Sequence, residues 1–593
     1  MPKKIQKLIP GVLFVMATFL FLQIVNAYHF FYIEQFQLFQ NTNLYFSQCI
    51  SHPGGLVTYI SQFLVQFFVL PYCGAGITTL VLSLIFFSSR KLLFKIAPDR
   101  KLFFILPASI FIACLLLCFD FNVFFQANLS FLFCVLCINR FNLIKNSTVK
   151  IAALALFIPL FYWFAGSITL LFSIAFCLMQ LMQTKNRRSY FGALLLPLLA
   201  LLALFVGLLA FRFSYAGNLR IALLPDMYCQ PQLPPTVIVY IPWVLLILCI
   251  IIAVLLPGIN FPDKIKPWAI GTQSIIVVVL LWAGIVFFGD RASYKVKKLD
   301  YFARNEQWDN IISDSGNTDI RNYLHLNYLN LALAQKGELL DKMFTFNQRG
   351  VSSLKLPNER KNLTSAVLSD IYFCVGDIAS SQQVAFEGFE KSPANGNPRL
   401  LKRLVQTNLV LCNYEVAKKY IAILKHTLFY RNWAKKHGQY LNNDELCAND
   451  TVLGKRINFL PKKNSRFYTT GGAETFDKLV KINPKNQNAF EYFFAYLLLS
   501  KNLKLIYNYS LKYKNASYLP KHLPLYFQQA ILMCYETDDR EWEKWNINKE
   551  TIKQYKTYRY MVIKNEKNPE LPNLMKKYFE STYWYYYQFV NIK

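Results

Sequence analysis

The chain reads as all-α in two parts, a polytopic helical membrane domain over residues 1–288 and a soluble α-helical, tetratricopeptide-like solenoid over 289–593. Three observations predict this. Of 34 acidic residues only five, Glu34, Asp99, Asp120, Asp226 and Asp263, precede residue 289. The same stretch carries nine apolar runs long enough, or nearly so, to cross a bilayer. Beyond it the pattern is helix after helix, with few strand signals.

The apolar runs lie near 8–28, 70–89, 102–119, 123–139, 151–164, 168–183, 191–211, 236–257 and 268–288. The first is too long, and too closely followed by others, for a cleaved signal peptide. Ala165-Gly166-Ser167 reads as the turn between the fifth and sixth. Basic residues stay with the cytoplasm during insertion. With a cytoplasmic N-terminus, sixteen of the eighteen Lys and Arg before residue 289 fall inside, and only Arg212 and Arg220 fall outside. Nine crossings then put the second half in the periplasm of a bacterium, across its inner membrane.

The formal charge is +30, of which the first 288 residues supply +13 and the rest +17. The first part is the topology signal itself and the second is scattered, so membrane lipids are expected partners and nucleic acid is not. Thirteen cysteines form no framework. Cys134 and Cys137 sit inside a span and read as packing. Pairing among Cys374, Cys412, Cys447 and Cys534 stays open. No ligand set for a metal and no cofactor motif is expected, and His29 and His52 read as interfacial polar residues.

Glu34 ends the segment HFFYIE, and residues 35–89 contain no Lys, Arg, Asp or Glu. His52-Pro53-Gly54-Gly55 breaks any helix there. LVTYISQFLVQFF, 56–68, has apolar residues at 56, 60, 63, 64 and 67, with Thr58, Gln62 and Gln66 forming an uncharged polar stripe. That spacing predicts an amphipathic helix at the outer membrane interface, beside Glu34. Arg212 and Arg220 are the cations of that layer, and Asp120 and Asp226 its other acids.

Glu34, Pro53-Gly54-Gly55 and the 56–68 helix together resemble the layout of C-type glycosyltransferases, over roughly residues 8–290. Those multispan enzymes keep an acid in the first outer loop and take sugars from a polyprenyl phosphate. Many carry an Asp-Glu or Asp-x-Asp pair; this chain has Glu34-Gln35. The resemblance implies Glu34 as catalytic base and Arg212 or Arg220 against the lipid phosphate, with Asp120, Asp226, Gln62 and Gln66 lining the substrate. The bland alternatives are an ion pair between Glu34 and Arg212, and span-ending arginines that snorkel. At the level of the whole protein, the alternatives are a non-enzymatic membrane-anchored scaffold and a lipid or glycan flippase. EQFQLF, HPGGLVTYISQFLVQFFVLPYCGA and NPKNQNAFEYFFAYLLLSKNL also resemble an uncharacterised bacterial family that joins such a membrane domain to a repeat-like C-terminal domain.

In the second half, NYEVAKKYIAIL (413–424) and INPKNQNAFEYFFAYLLLSKNLKLIYNY (482–509) resemble tetratricopeptide helix pairs, as do 327–344 and 375–389 more weakly. Such a domain would hold a periplasmic protein or a glycan acceptor. Residues 440–475 read as an insertion, and Thr470-Gly471-Gly472 as a turn, since it lacks the Gly-Lys-Ser/Thr ending of a phosphate loop. YWYYYQF, 583–589, either caps the last repeat or docks on the membrane surface.

Overall fold

The first apolar run yields a helix longer than a bilayer needs. A computed structural model describes residues 3–592 apart from 97–103, most of 184–218, 232, 256–265, 290, 317–319, 360, 393–395, 461–471 and 537–538. Helix α1 runs from Lys3 to Glu34, 32 residues, or about 48 Å at 1.5 Å per residue. Regular structure among the described residues is helical, apart from an isolated antiparallel bridge between Val123 and Cys229. All thirteen cysteines are free thiols. Contacts divide the chain into two compact units, the first running to Tyr294 and also taking in His426–Phe429.

The first unit continues with α2 (Asn43–Ile50), α3 (Gly55–Val65), α4 (Cys73–Ile96), α5 (Ile105–Leu117), α6 (Gln126–Phe141), α7 (Ser147–Ala165), α8 (Ile168–Gln183), α9 (Leu219–Leu223), α10 (Ile241–Leu255) and α11 (Lys266–Phe288). Among the described residues five segments are long and apolar enough to cross a bilayer: Ile9–Glu34, Cys73–Ile96, Thr148–Ala165, Val237–Leu255 and Pro267–Phe288. Helices α5, α6 and α8 are apolar but hold only 13, 16 and 16 residues. Thirteen residues of helix reach about 20 Å, against a hydrocarbon core of about 30 Å. The runs at 102–119 and 123–139 give shorter helices than their apolar length because the chain between them folds back. Phe124 N–H donates to Tyr228 O at 2.8 Å and Gln230 Nε2 to Phe121 O at 2.7 Å. The run at 191–211 lies largely outside the described residues.

Polar contacts sort the helix ends of this unit into two groups. At a basic end, Lys95 Nζ donates to Asn142 O at 3.0 Å, Asn139 Nδ2 to Ser88 O at 3.0 Å, and Ile105 N–H to Gln273 Oε1 at 3.3 Å. These join the C-terminal part of α4 to that of α6, and the N-terminal part of α5 to that of α11. At the opposite, loop end, Asn26 Nδ2 donates to Cys118 O at 2.7 Å, Gly54 N–H to Trp163 O at 2.9 Å, and Tyr228 O–H to Ala165 O at 2.8 Å. Helices α4 to α8 therefore alternate in direction, whereas α8 and α10 both start at the loop end. Between the two ends lies an apolar core that includes Leu82, Ile85, Ile110, Val135, Ile138, Phe172, Leu246 and Ile250, all fully buried.

Helix α3 and the 3₁₀ turn after it (Gln66–Val69) fall where the stripe of Thr58, Gln62 and Gln66 predicts a helix. Its polar face turns into the protein. Ser61, Gln62 and Gln66 are buried, whereas Phe63 and Leu70 are exposed, as is Leu44 of α2. In a water-soluble protein that arrangement would be inverted. Beside lipid it is favourable, because an apolar ring facing hydrocarbon costs nothing and an amide facing the protein interior finds partners.

In the second unit, helices α12 (Arg291–Arg304), α13 (Trp308–Ser315), α14 (Tyr323–Lys336), α15 (Asn362–Val375), α16 (Ile378–Glu390), α17 (Pro398–Val410) and α18 (Tyr414–Lys425) precede the expected insertion. After them come α19 (Leu453–Ile457), α20 (Ala473–Ile482), α21 (Gln487–Leu499), α22 (Leu503–Asn515), α23 (Leu525–Cys534), α24 (Lys549–Lys564) and α25 (Tyr583–Phe589). Short acidic or amide side chains start many of them: Asp377, Asn397, Asn486 and Asn502 each accept a backbone N–H of the first turn. Gly337 and Gly376, at φ +72° and +88°, close α14 and α15 in the left-handed conformation. Helices α15 to α18 pack in succession, each on the next. Of the expected turn at 470–472 only Gly472 is described, at φ +83°.

Helix α21 breaks the one-dimensional stacking expected of a solenoid. It packs against α14, α15, α20 and α22, and against the short helix Leu339–Lys342. Its sequence, QNAFEYFFAYLLL, puts apolar residues on every face, and eleven of its thirteen residues are buried. The aromatic terminus settles into this unit. Trp584 Nε1 donates to Gln529 O at 3.0 Å, Tyr586 O–H donates to Leu499 O at 3.1 Å, and both rings are buried with Tyr583. The packing role holds for these rings and leaves them no surface for a membrane.

A carboxylate lies inside α21. Glu491 is buried, accepts from Leu339 N–H at 3.2 Å and from Gln487 Nε2 at 2.9 Å, and has Glu338 and Asp341 nearby. Burial pushes its carboxyl up to about 7. The folded protein thus keeps a proton that the unfolded chain releases near pH 4.5. The contribution of Glu491 is full below that value, falls as pH rises toward 7, and is flat above. Glu491→Gln is expected to raise stability at pH 8 by up to about 3 kcal/mol. It should leave stability near pH 4 unchanged, as read from unfolding of variant and parent at both values.

A buried ion network ties four helices of this unit together. Asp300 of α12 accepts from Arg399, from Tyr328 O–H at 2.7 Å, and pairs with Arg304 at 3.0 Å. Asp370 of α15 accepts from Arg399 and from Arg403 at 2.8 Å. Burial works against a charged Asp370, but the two guanidiniums outweigh it and hold its carboxyl below the ordinary value.

Candidate functional site

Helix α1 ends on Glu34, whose side chain is only 2% exposed. The chain then turns tightly, with Gln37 N–H donating to Glu34 O at 3.3 Å. Gln35 Nε2 donates to Glu34 Oε2 at 2.5 Å, and Gln35 and Gln37 are buried beside it in sequence. Two predicted lining residues lie on α3 and the turn that follows it. Tyr45 O–H donates to Gln62 Oε1, and Gln66 Nε2 donates to Phe63 O at 3.0 Å.

One turn back along α1, His29, Phe30 and Ile33 line a cavity of about 20 Å³ with Thr78, Cys118 and Asn128. That is room for about one water molecule. Thr78 Oγ1 and Asn128 Oδ1 are buried there without a protein partner, so the cavity is polar as well as roomy enough. His29, expected at the interface, is buried instead, because α1 continues as a packed helix past the apolar run.

The other expected site residues divide into two places. Arg220 Nε lies 3.5 Å from Asp226 Oδ2, and Tyr240 O–H also donates to Asp226. The Asp226 side chain is 3% exposed and that of Arg220 67%, so the pair has a buried acid and a cation reaching outward. Asp120 Oδ1 accepts from Asn122 N–H at 2.8 Å, closing a loop turn. Asn122 Oδ1 in turn accepts from Gln230 N–H at 3.1 Å, so the Asp120 and Asp226 loops join. The ion pair of Arg220 is with Asp226, a partner that sequence reading did not assign it. Arg212 lies outside the described residues.

A glycine contact locks these loops. Gly54, at φ +76°, packs on Gly166, at φ +79°, and a Cβ on Gly54 would stand 2.5 Å from Met227 Cε and 3.3 Å from Gly166 Cα. Gln126 Nε2 donates to Gly54 O at 3.4 Å and Trp163 Nε1 to Ile50 O at 2.9 Å. Gly54→Val is expected to lower the thermal midpoint of the purified chain. It combines left-handed strain of about 1–2 kcal/mol with an overlap on the Met227 side chain and a tight approach to the Gly166 backbone. Gly271→Val, at a position with open space around it, should leave the midpoint unchanged.

Sequence reading missed Asn26, Tyr45, Asn122, Gln126 and Asn128. The signal was present as amides inside otherwise apolar runs, such as NVFFQANL, where each polar side chain needs an inward partner.

The family model described as a family of unknown function, DUF6057, matches residues 2–590. The chain belongs to this family. The match takes in both units of the DUF6057 chain. No curated protein and no solved structure matches it. Among its described residues, no group of three or more His, Cys, Asp or Glu is placed to hold a metal ion.

Proposed function

We propose that this DUF6057 protein moves a sugar from a polyprenyl-phosphate donor to an extracytoplasmic acceptor at the loop end of its first unit. In this reading it is a multi-pass protein of a bacterial cytoplasmic membrane, with nine crossings, a cytoplasmic N-terminus and a periplasmic second unit. The carrying observation is the setting of Glu34: an acid ending a helix, buried, beside amide side chains and a re-entrant loop whose apolar rings face outward. An acid at a helix C-terminus is disfavoured by the helix dipole by about 0.3–1 kcal/mol. Burial adds a further cost.

In the proposed step an acceptor hydroxyl oxygen attacks the anomeric carbon. The carbon–oxygen bond to the lipid phosphate breaks, and its electron pair leaves with the phosphate. Glu34 takes the hydroxyl proton. Arg220, with its exposed guanidinium, stabilises the charge gained by the phosphate, and Arg212 is the second cation of that layer. Helix pairs of the second unit, read as a degenerate tetratricopeptide-like domain, hold the acceptor.

The rival reading is a membrane-anchored scaffold for envelope proteins. The closed network of loop hydrogen bonds around Gly54, Trp163 and Tyr228 favours it. Membranes containing the chain, given a labelled polyprenyl-phosphate sugar, separate the two. Transfer that disappears with Glu34→Gln supports the enzyme. No transfer by the parent chain supports the scaffold.

A further inference from the structure

Helix α24 is anchored by one face and charged along the other. Thr551, Tyr555 and Tyr558 are buried, with the Tyr555 ring centroid 5.1 Å from that of Trp584 and the Tyr558 centroid 5.2 Å from that of Phe579. On the opposite face Lys549, Ile552, Lys553, Lys556, Thr557 and Tyr560 recur at three- and four-residue spacing and line an open trough of about 450 Å³. Ile563 and Lys564 continue the row, which therefore runs about 22 Å along the helix. The row holds four lysines and no acid. Glu550 flanks it in the first turn, and Arg559, off the row, pairs with Glu536 at 2.9 Å. The Tyr560 side chain is 63% exposed, and Lys564 Nζ lies 5.6 Å from its ring centroid.

Like charges one helical turn apart repel, and an anion laid along the row relieves that. A single exposed lysine binds an anion weakly, so the fitting partner is linear and engages several at once. The flat Tyr560 ring packs the C–H face of a sugar, while ammonium groups and the Thr557 hydroxyl reach its oxygens. Acidic peptides are read by arginine forks, and the row holds none. A bilayer surface is flat, whereas the trough is concave. We propose that this face of α24 binds an anionic polysaccharide whose sugars carry carboxylates. The acceptor of the proposed transfer is then an acidic glycan. This rests on the reading of the second unit as the part that holds the acceptor.

The test is binding of a fluorescent oligogalacturonate to the full chain in detergent, read by anisotropy with no sugar donor present. The expected result is saturable binding that weakens as salt is added. Lys553→Gln combined with Lys556→Gln should weaken it about tenfold. Lys418→Gln combined with Lys419→Gln removes the same charge from exposed positions on α18 and should leave it unchanged. Tyr560→Ala should weaken the glycan and leave poly-glutamate binding as it was. These positions are exposed, so the variants fold. No saturable binding, equal losses from the two lysine pairs, or full glycan binding by Tyr560→Ala overturns the proposal. Displacement of the probe by poly-glutamate or by phosphatidylglycerol micelles at lower charge concentration than by unlabelled glycan also overturns it, in favour of an acidic protein or a membrane. Without a donor the measurement is blind to transfer, so binding without transfer removes the enzyme reading and keeps this one.

Discussion

Glu34→Gln should reduce sugar transfer about a hundred- to ten-thousandfold, the usual worth of a positioned general base, while the protein accumulates at its normal level. Two features of the fold make that separation readable. Glutamine preserves the shape of a side chain that is buried and hydrogen-bonded to Gln35. It also removes a negative charge from the C-terminal end of α1, where the helix dipole opposes one. Loss of the glycan in cells with unchanged protein thus points to chemistry. Unchanged glycan with the variant present would leave Glu34 a packing residue and favour the scaffold.

Arg399→Met should have the largest effect on stability, about 3–5 kcal/mol. The guanidinium of Arg399 is shared between Asp300 on α12 and Asp370 on α15. Its removal leaves Asp300 with Arg304 and Tyr328, and Asp370 with Arg403, each carboxylate missing one donor in a buried setting. For a domain of this size that corresponds to a fall of roughly 6–15 °C in thermal midpoint, measured on the purified chain in detergent. Lys418→Met, at a solvent-exposed pair with Glu415, should change it by less than about 1 °C. Equal midpoints for Arg399→Met and the parent would mean that the network adds nothing to holding these helices together.

How much of this was legible beforehand depended on whether the determining forces were local. The helical character of both halves is written in spacing, and Asn486 or Asn502 mark helix starts by the hydrogen bonds that short amides make. The stripe Thr58, Gln62, Gln66 located α3 and the 3₁₀ turn after it to within one residue at each end. It did not fix which face turns inward, because that depends on whether lipid or water lies outside. The pairing of Arg220 with Asp226 is six residues long in sequence but needs the turn at Pro225 to form. Asp300, Asp370, Arg399, Arg403 and Arg456 span 156 residues with no common motif. Their meeting follows from how four helices pack, which no local pattern encodes. The solenoid expectation failed to anticipate α21 for a related reason: all-round apolarity says that a helix is central without saying what surrounds it.

The central claim is that the loop end and the basic end of the first unit face opposite sides of a membrane, with Glu34 at the non-cytosolic one. A cysteine introduced at Tyr72, exposed at the loop end, or at Lys145, exposed at the basic end, tests it directly. Both are introduced with the exposed Cys412 replaced by serine, and spheroplasts are treated with a membrane-impermeant maleimide. The account predicts labelling of Tyr72→Cys in intact spheroplasts and of Lys145→Cys only after they are opened. Labelling of Lys145→Cys from outside, with Tyr72→Cys protected, would contradict it.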